Sequence, residues 1–315
     1  MNIGQAVPIG GPEKPDGADD QLVKLYEFVP ADERLRRKNL PNAMTVDVED
    51  YFQVSAFEKH VSRNDWDSIS CRIGRNVERI LELFERQNTR ATFFTLGWVA
   101  QHHPEVIRAI VDAGHELASH GADHSRVTSL TKAEFRKDVD DTRKRLEDIS
   151  GTSVIGYRAP SFSIVKDTLW AHDVLAECGY LYSSSVYPIK HDHYGLPNAP
   201  RFPFYLKSTE LLEIPMSTVR YMGHNWPCAG GGYFRLLPIA YSKWATRQIN
   251  KREGMPAVFY FHPWELDPDQ PRVKGIPARA RIRHYLNLGK VESRLTQMLR
   301  AFRWDRMDRI FLDHS

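Results

Sequence analysis

From Pro41 onward, short apolar runs alternate with stretches whose apolar residues recur at helical spacing. Ala43 to Val48 reads as a strand, Ile73, Val77, Ile80, Leu81 and Phe84 share one face of a helix, and Ala91 to Leu96 reads as the next strand. Pro104 opens the following helix and Gly114 closes it, the asymmetry expected of helix ends. Thr131 and Glu134 make a capping box ahead of Phe135, Val139, Leu146 and Ile149, which predicts a helix over 131–150. Strands follow at Val154 to Tyr157, Leu181 to Ser183, Leu211 to Ile214 and Ala257 to Phe261, with helices near 166–178 and 239–251 between some of them. The alternation predicts an α/β fold on a parallel sheet, open or closed into a barrel.

Before Pro41 the pattern fails. Residues 1–40 hold Gly10-Gly11-Pro12, Pro15-Asp16-Gly17 and mixed charges without apolar periodicity, and are expected to be a flexible leader. The whole chain, with 42% apolar and 26% charged residues, has ordinary globular composition, and the folded part is expected over 41–315. A net charge of +3 is spread among both signs, so no nucleic-acid surface is expected. The densest basic run, Arg34 to Lys38, is read first as solvated and second as a contact with anionic lipid. Cys71, Cys178 and Cys228 are too scattered for a disulfide framework, and no stretch approaches the ~20 apolar residues of a membrane span. With no signal-like N-terminus, a soluble cytoplasmic protein is expected.

Candidate chemistry collects at predicted strand ends. The strand from Ala43 ends in Asp47-Val-Glu-Asp50, three carboxylates within four positions, either a solvated loop with a helix cap or half of a cation site. His120 and His124, four residues apart, supply the imidazoles for a site of two His and one carboxylate, with Glu49 or Asp50 as the third ligand. His115 is expected to be packed and hydrogen-bonded instead. Arg158-Ala-Pro160-Ser161 places an Arg that can orient a buried carboxylate, and a backbone N–H beyond the Pro that can face an oxyanion. His262 ends the apolar run Val258 to Phe261, where it is either structural or a general acid at a site's mouth. In a barrel of parallel strands these ends share one face.

In order, these segments resemble the polysaccharide deacetylase family, the carbohydrate esterases with a NodB homology domain, over roughly residues 41–265. The resemblance makes Asp47 the catalytic base and places Glu49 where the family has a metal-binding Asp. It makes His120 and His124 the remaining ligands, and aligns Arg158 and Pro160 with an Arg-x-Pro motif and His262 with a late Leu-x-His motif, with Tyr260 in place of Leu. Val46 to Phe52, Gly230 to Arg235 and Phe261 to Asp267 are similar to the subgroup found with bacterial exopolysaccharide and exosortase loci, with a C-terminal extension over about 196–315 packed on the domain. It implies a distorted (β/α) barrel with fewer than eight full strands.

It also implies a zinc ion, with cobalt, nickel or iron as alternatives, and hydrolysis of an N-acetyl group from an amino sugar in a glycan or a lipid-linked sugar. Asp47 would take a proton from the attacking water, Arg158 would orient it, the Ser161 N–H would face the oxyanion and His262 would protonate the amine. Tyr233, Trp264 and Tyr187 are candidate sugar-stacking residues. The rivals are a cyclic-amide hydrolase of the allantoinase-like branch, a carbohydrate-binding pseudoenzyme marked by Glu49, and a partner in a polysaccharide assembly complex. Such a partner would make its membrane or protein contacts through the leader and a helix around 291–302.

Overall fold

Of the computed structural model, residues 28–30, 41–191, 194–206 and 209–312 are described here. The strands, in chain order, are β1 (Phe28–Pro30), β2 (Asn42–Val48), β3 (Thr92–Thr95), β4 (Glu116–Ser119), β5 (Gly156–Tyr157), β6 (Tyr182–Ser183), β7 (Phe204–Leu206), β8 (Leu212–Glu213), β9 (Thr218–Tyr221), β10 (His224–Pro227), β11 (Val258–Phe261) and β12 (Trp304–Asp305). Among them β8, β6, β5, β4, β3, β2 and β11 pair side by side in parallel, and β12 joins the start of β2. β7 and then β1 extend the β8 edge antiparallel. The result is the curled, incomplete barrel of an α/β fold.

β2 is buried along its whole length, and its two faces do different work. Met44, Val46 and Val48 pack with Ile73, Val77, Ile80 and Phe84 of the helix Ile73–Arg86, which shows the apolar face its spacing predicts. The alternate residues Ala43, Thr45 and Asp47 turn to the other side, where Ala43 packs with Phe94, Tyr182 and Tyr260. The strand's period of two therefore delivers Asp47 to the barrel interior at the strand's carboxyl end. The helix Lys132–Ser150 begins at the predicted capping box, Thr131 Oγ1 accepting from the Glu134 N–H and Glu134 Oε2 accepting from the Thr131 N–H at 2.8 Å.

A buried carboxylate ties two of the strands together. Glu213 on β8 accepts from the Ser185 and Val186 N–H groups and pairs with His172 at 2.9 Å. Burial raises the carboxyl's pKa, but the His172 imidazole and these N–H donors outweigh it and bring the net shift down.

Two expectations are corrected. Phe28–Pro30, inside the stretch read as a leader, is a strand paired with Phe204–Leu206; residues 1–27 and 31–40, including the run Arg34 to Lys38, lie outside the described residues. The stretch 196–315 does not sit on a finished domain, because β7, β8, β11 and β12 belong to the same sheet. β8 and β11 fall where strands are expected, at 211–214 and 257–261, whereas β7 and β12, three and two residues long, could not be told from loop by periodicity alone. The helix Gly97–His102 and the hairpin β9–β10 were not predicted, being too short for a helical period and too polar for an alternating one. Among the described residues no helix is long and apolar enough to cross a membrane.

Between β8 and β11 the sheet is not paired strand to strand, and the chain from Met216 to Gly230 covers the seam. The Val258 N–H donates to Ser217 Oγ at 2.7 Å, the Tyr260 N–H to the Ala229 carbonyl at 2.7 Å, and Gly230 bridges Tyr260. Gly230 has φ 125°, and any Cβ there would overlap the Tyr260 carbonyl oxygen. Gly230→Ala is expected to lower stability by roughly 2–3 kcal/mol, since both the conformation and the contact exclude a side chain. An unchanged melting temperature would remove this residue from the closure of the barrel.

Candidate metal and catalytic site

The carboxyl ends of β2, β4, β5 and β11 bring Asp47, Glu49, His120, His124, Arg158 and His262 together. One ligand atom each from Glu49, His120 and His124 lies within 4.8 Å of the others, and all three residues are buried. His120 donates through Nδ1 to the Arg158 carbonyl at 2.8 Å, which leaves Nε2 with its lone pair free. Burial, ahead of the neighbouring His124 charge, brings the His120 pKa down to about 4, so the ring is a neutral donor at pH 7.

Glu49 carries the test of fit. Its Oε2 sits 2.7 Å from His124 Nε2, yet this buried oxygen has no partner in hydrogen-bond geometry. A buried carboxylate oxygen and an imidazole nitrogen that face one point are the arrangement a divalent cation needs, and two imidazoles with a carboxylate suit that ion. Burial raises the Glu49 pKa, but the imidazoles around it, His124 first and then His262, outweigh it and hold the group below the usual carboxylate range.

Of Glu49 and Asp50, which sequence leaves as alternatives, Glu49 is the one that stands in the cluster able to hold a metal ion. Asp50 accepts the N–H groups of Tyr51 and Arg72 and so anchors the start of the helix Ile73–Arg86. Its side chain is spent on the backbone and is outside the Glu49, His120 and His124 cluster.

The loop between the two histidines is fixed from behind. Asp138 accepts the Ala122 N–H at 3.1 Å, the Gly97 N–H donates to the Gly121 carbonyl, and His124 takes a left-handed backbone with φ 61°. Left-handed backbone is uncommon for a non-glycine residue, though His takes it more readily than most, and here the His124 ring meets Glu49. Ser55, a residue the motifs did not signal, places its Oγ 2.6 Å from Ser161 Oγ and 3.5 Å from His124 Nδ1.

Arg158 is wholly buried and spends its donors inside the barrel: Nη1 on Asp47 Oδ1 at 2.6 Å and on Thr45 Oγ1 at 2.7 Å, Nη2 on Ser184 Oγ and Nε on the Ser184 carbonyl. Asp47 is thereby held by one oxygen, and its Oδ2 lies 4.0 Å from His262 Nε2. His262 Nε2 is also 3.5 Å from Glu49 Oε1, and its Nδ1 is 3.7 Å from Glu265 Oε1. Burial pushes the His262 pKa down, but Glu49, Glu265 and Asp47 reverse the shift and carry it up to about 9. Glu265 is in turn locked by buried Arg235 at 2.8 Å, a pair that sequence reasoning missed although it stands three residues after the His.

Pro160 and Ser161 form the turn beyond Arg158, with Ser161 and Phe162 both in the left-handed region at φ 55° and 51°. Of the aromatics proposed to stack on sugar, Tyr233 is half-buried on the short helix Gly231–Leu236. The other two are corrected. Tyr187 is fully buried against Phe162 and Tyr194, where it supports the interior. Trp264 is 4% exposed, stacked between His284 at 4.1 Å and His262 at 5.1 Å, and its indole N–H donates to Glu49 Oε1. It orients a ligand rather than a substrate. His115 is packed as expected, its Nδ1 accepting from the Ala91 N–H.

Comparison with known proteins matches two stretches of the chain. Residues 65–183 match the polysaccharide deacetylase family, and residues 184–312 match a domain of unknown function, DUF3473. A peptidoglycan deacetylase of Helicobacter pylori is 28% identical over 110 residues, 35% of this chain and 36% of that protein. A peptidoglycan-N-acetylglucosamine deacetylase of Bacillus cereus is 29% identical over 94 residues, 30% of this chain and 34% of its own length. The chain thus spans about a third of the curated relatives it matches. The fold is that of a Mycobacterium smegmatis protein assigned to the polysaccharide deacetylases, with 23% identity, TM-score 0.50, and coverage of 87% of this chain and 96% of that one. A Pseudomonas aeruginosa protein assigned likewise gives 17% identity, TM-score 0.51, and coverage of 85% and 88%.

Two outcomes are expected. Glu49→Gln and His124→Ala should each weaken zinc binding by more than the roughly 10–100-fold that loss of an outer partner costs, while Asp50→Asn keeps the ion; metal content after gel filtration checks this, and retention by Glu49→Gln would reassign the ligand. Burial, with Asp123 and Asp141 adding, lifts the Asp138 carboxyl to about 7 against its Ala122 hydrogen bond. A raised folded pKa means the native state holds the extra proton, so stability falls as pH rises from about 4 to 7. Asp138→Asn, which keeps an acceptor for Ala122, should flatten that slope in thermal melts; an unchanged slope would mean the carboxyl titrates normally.

Proposed function

We propose, for a chain that carries a polysaccharide deacetylase domain over residues 65–183 followed by DUF3473 over 184–312, that it is a metal-dependent hydrolase removing N-acetyl groups from amino sugars of a glycan. The observation that carries the reading is the orphaned Glu49 oxygen facing His124 inside a cluster that also holds a tethered carboxylate, Asp47, and a proton-bearing imidazole, His262. Binders need no such acid and base about a cation site.

A divalent ion held by Glu49, His120 and His124 would polarise the amide carbonyl and acidify a water molecule. The chain's own residues supply the proton transfers. Asp47, fixed by Arg158, takes a proton as the water oxygen attacks the acetyl carbon. The Ser161 N–H, presented by the strained turn after Pro160, faces the developing oxyanion. His262 gives its proton to the nitrogen as the C–N bond breaks, so that acetate and the free amine result. Glu265 and Arg235 keep that imidazole charged and oriented. Tyr233 is the remaining aromatic candidate for the sugar face.

Finer assignments follow the donor set and the resemblance. Zinc suits two imidazoles and one carboxylate with an open position. The names of the relatives, peptidoglycan deacetylases, support an N-acetylhexosamine as the acyl-bearing sugar. The motifs shared with the exopolysaccharide-locus subgroup point to a bacterial exopolysaccharide or its lipid-linked intermediate.

Acetate release from N-acetylglucosamine oligomers should vanish with a chelator and return with added zinc or cobalt. Asp47→Asn and His262→Ala should keep the metal and lower turnover by about 10²–10⁴-fold. Full turnover by Asp47→Asn would sink the assigned base, and sugar binding without acetate under any metal would make the protein a binder.

A further inference from the structure

The hairpin β9–β10 carries a surface that the hydrolytic site does not use. Its tip residue Met222 is 80% exposed, and Tyr221 and Trp226 are 54% and 50% exposed. The helix Ile239–Gln248 continues the patch with Trp244, which meets Tyr221 edge-on at 6.1 Å. Tyr241 of the same helix donates to the Pro227 carbonyl at 3.0 Å, so hairpin and helix are joined as one face. Large apolar side chains gathered in this way call for a partner.

Charge identifies the partner. Residues 214–252 contain no Asp or Glu, whereas Arg220, Lys243, Arg247, Lys251 and Arg252 all fall there, with His224 on the hairpin. Arg220, Arg247, Lys251 and Arg252 are exposed. Glu253, the next acid, is bound bidentately by Arg201, and Glu292 of the adjoining helix Val291–Ala301 is bound by Arg79. That adjoining helix offers Lys243 only the neutral Gln297.

We propose that this hairpin and helix form a membrane-contact face that docks on an anionic phospholipid surface. Trp and Tyr favour the boundary between headgroup and acyl chain, Met222 reaches below it, and the exposed basic residues meet the lipid phosphates. A glycan platform fits less well. Tyr221 and Trp244 cross at 85° and Tyr241 and Trp244 at 39°, so the rings share no plane on which a sugar could lie, and the carboxylates that would accept its hydroxyls are missing.

The test is co-sedimentation of the full chain with vesicles of phosphatidylcholine plus phosphatidylglycerol, against phosphatidylcholine alone, at low and high salt. Binding is expected only to the anionic vesicles and should weaken with salt. Met222→Ser with Trp226→Ser, and separately Lys251→Glu with Arg252→Glu, should each reduce it by about tenfold. Both pairs lie on the exposed surface, so melting temperature and acetate release from soluble oligomers should stay at wild-type values, which separates this outcome from failure of the hydrolase assignment. Absence of anionic binding by the wild type would overturn the proposal, as would full binding by both variants. A dimer in solution that the Met222→Ser, Trp226→Ser variant dissolves, with no vesicle binding, would also overturn it and give the face to a second copy.

Discussion

The buried pair of Arg158 and Asp47 is the constraint on which the site depends. A guanidinium at zero exposure is tolerated only when its donors are matched, and here they reach Asp47, Thr45 and Ser184, with the cation 4.0 Å above the Phe94 ring. Removing one member strands the other charge in the barrel, at a cost of about 3–5 kcal/mol. The same residue's carbonyl takes the Nδ1 proton of His120. One Arg therefore sets the orientation of the carboxylate and the tautomer of the imidazole, and joins the ends of β2, β4 and β5 to the segment after β6.

The two family matches meet at residues 183 and 184, but the structure does not divide there. β8 and β11 lie in one sheet with β2 to β6, and the segment 216–230 covers the seam that they leave. His262, Glu265, Arg235 and Trp264 all come from the second stretch and act on Glu49 and Asp47 outside the first match. The domain of unknown function is thus part of the site's wall. A chain cut between the matches would lose the charged imidazole and the indole N–H that steadies Glu49.

Three imidazoles near one another are tuned apart by their surroundings. Burial, with the Arg235 charge adding, outweighs Glu265 and Glu49 and leaves His284 well below its ordinary pKa, at about 3, where it stacks as a neutral ring on Trp264. Burial similarly keeps His120 unprotonated despite Asp47 and Glu49. His262 is equally enclosed but stands between Glu49 and Glu265, and their charges reverse the sign of its shift. The division between neutral and charged imidazole is therefore electrostatic and does not follow from residue type.

Sequence alone determined what local periodicity and residue chemistry control. The helix from the Thr131 cap, the buried strand ending at Asp47, the order of Asp47, His120, His124, Arg158 and His262, and the packed role of His115 were all legible, because each is specified within a few neighbouring residues. Tertiary structure decided what depends on the neighbour across a gap. Glu49 and Asp50 are adjacent and chemically alike; only the Tyr51 and Arg72 N–H groups, which turn Asp50 away, separate ligand from helix anchor. Trp264 and Tyr187 are candidates for stacking on sugar by sequence, and their packing shows them enclosed. The two-residue strands of the second half carry no period of their own. Their place in the sheet comes from partners far along the chain, and spacing encodes which face a side chain takes but not what it meets there.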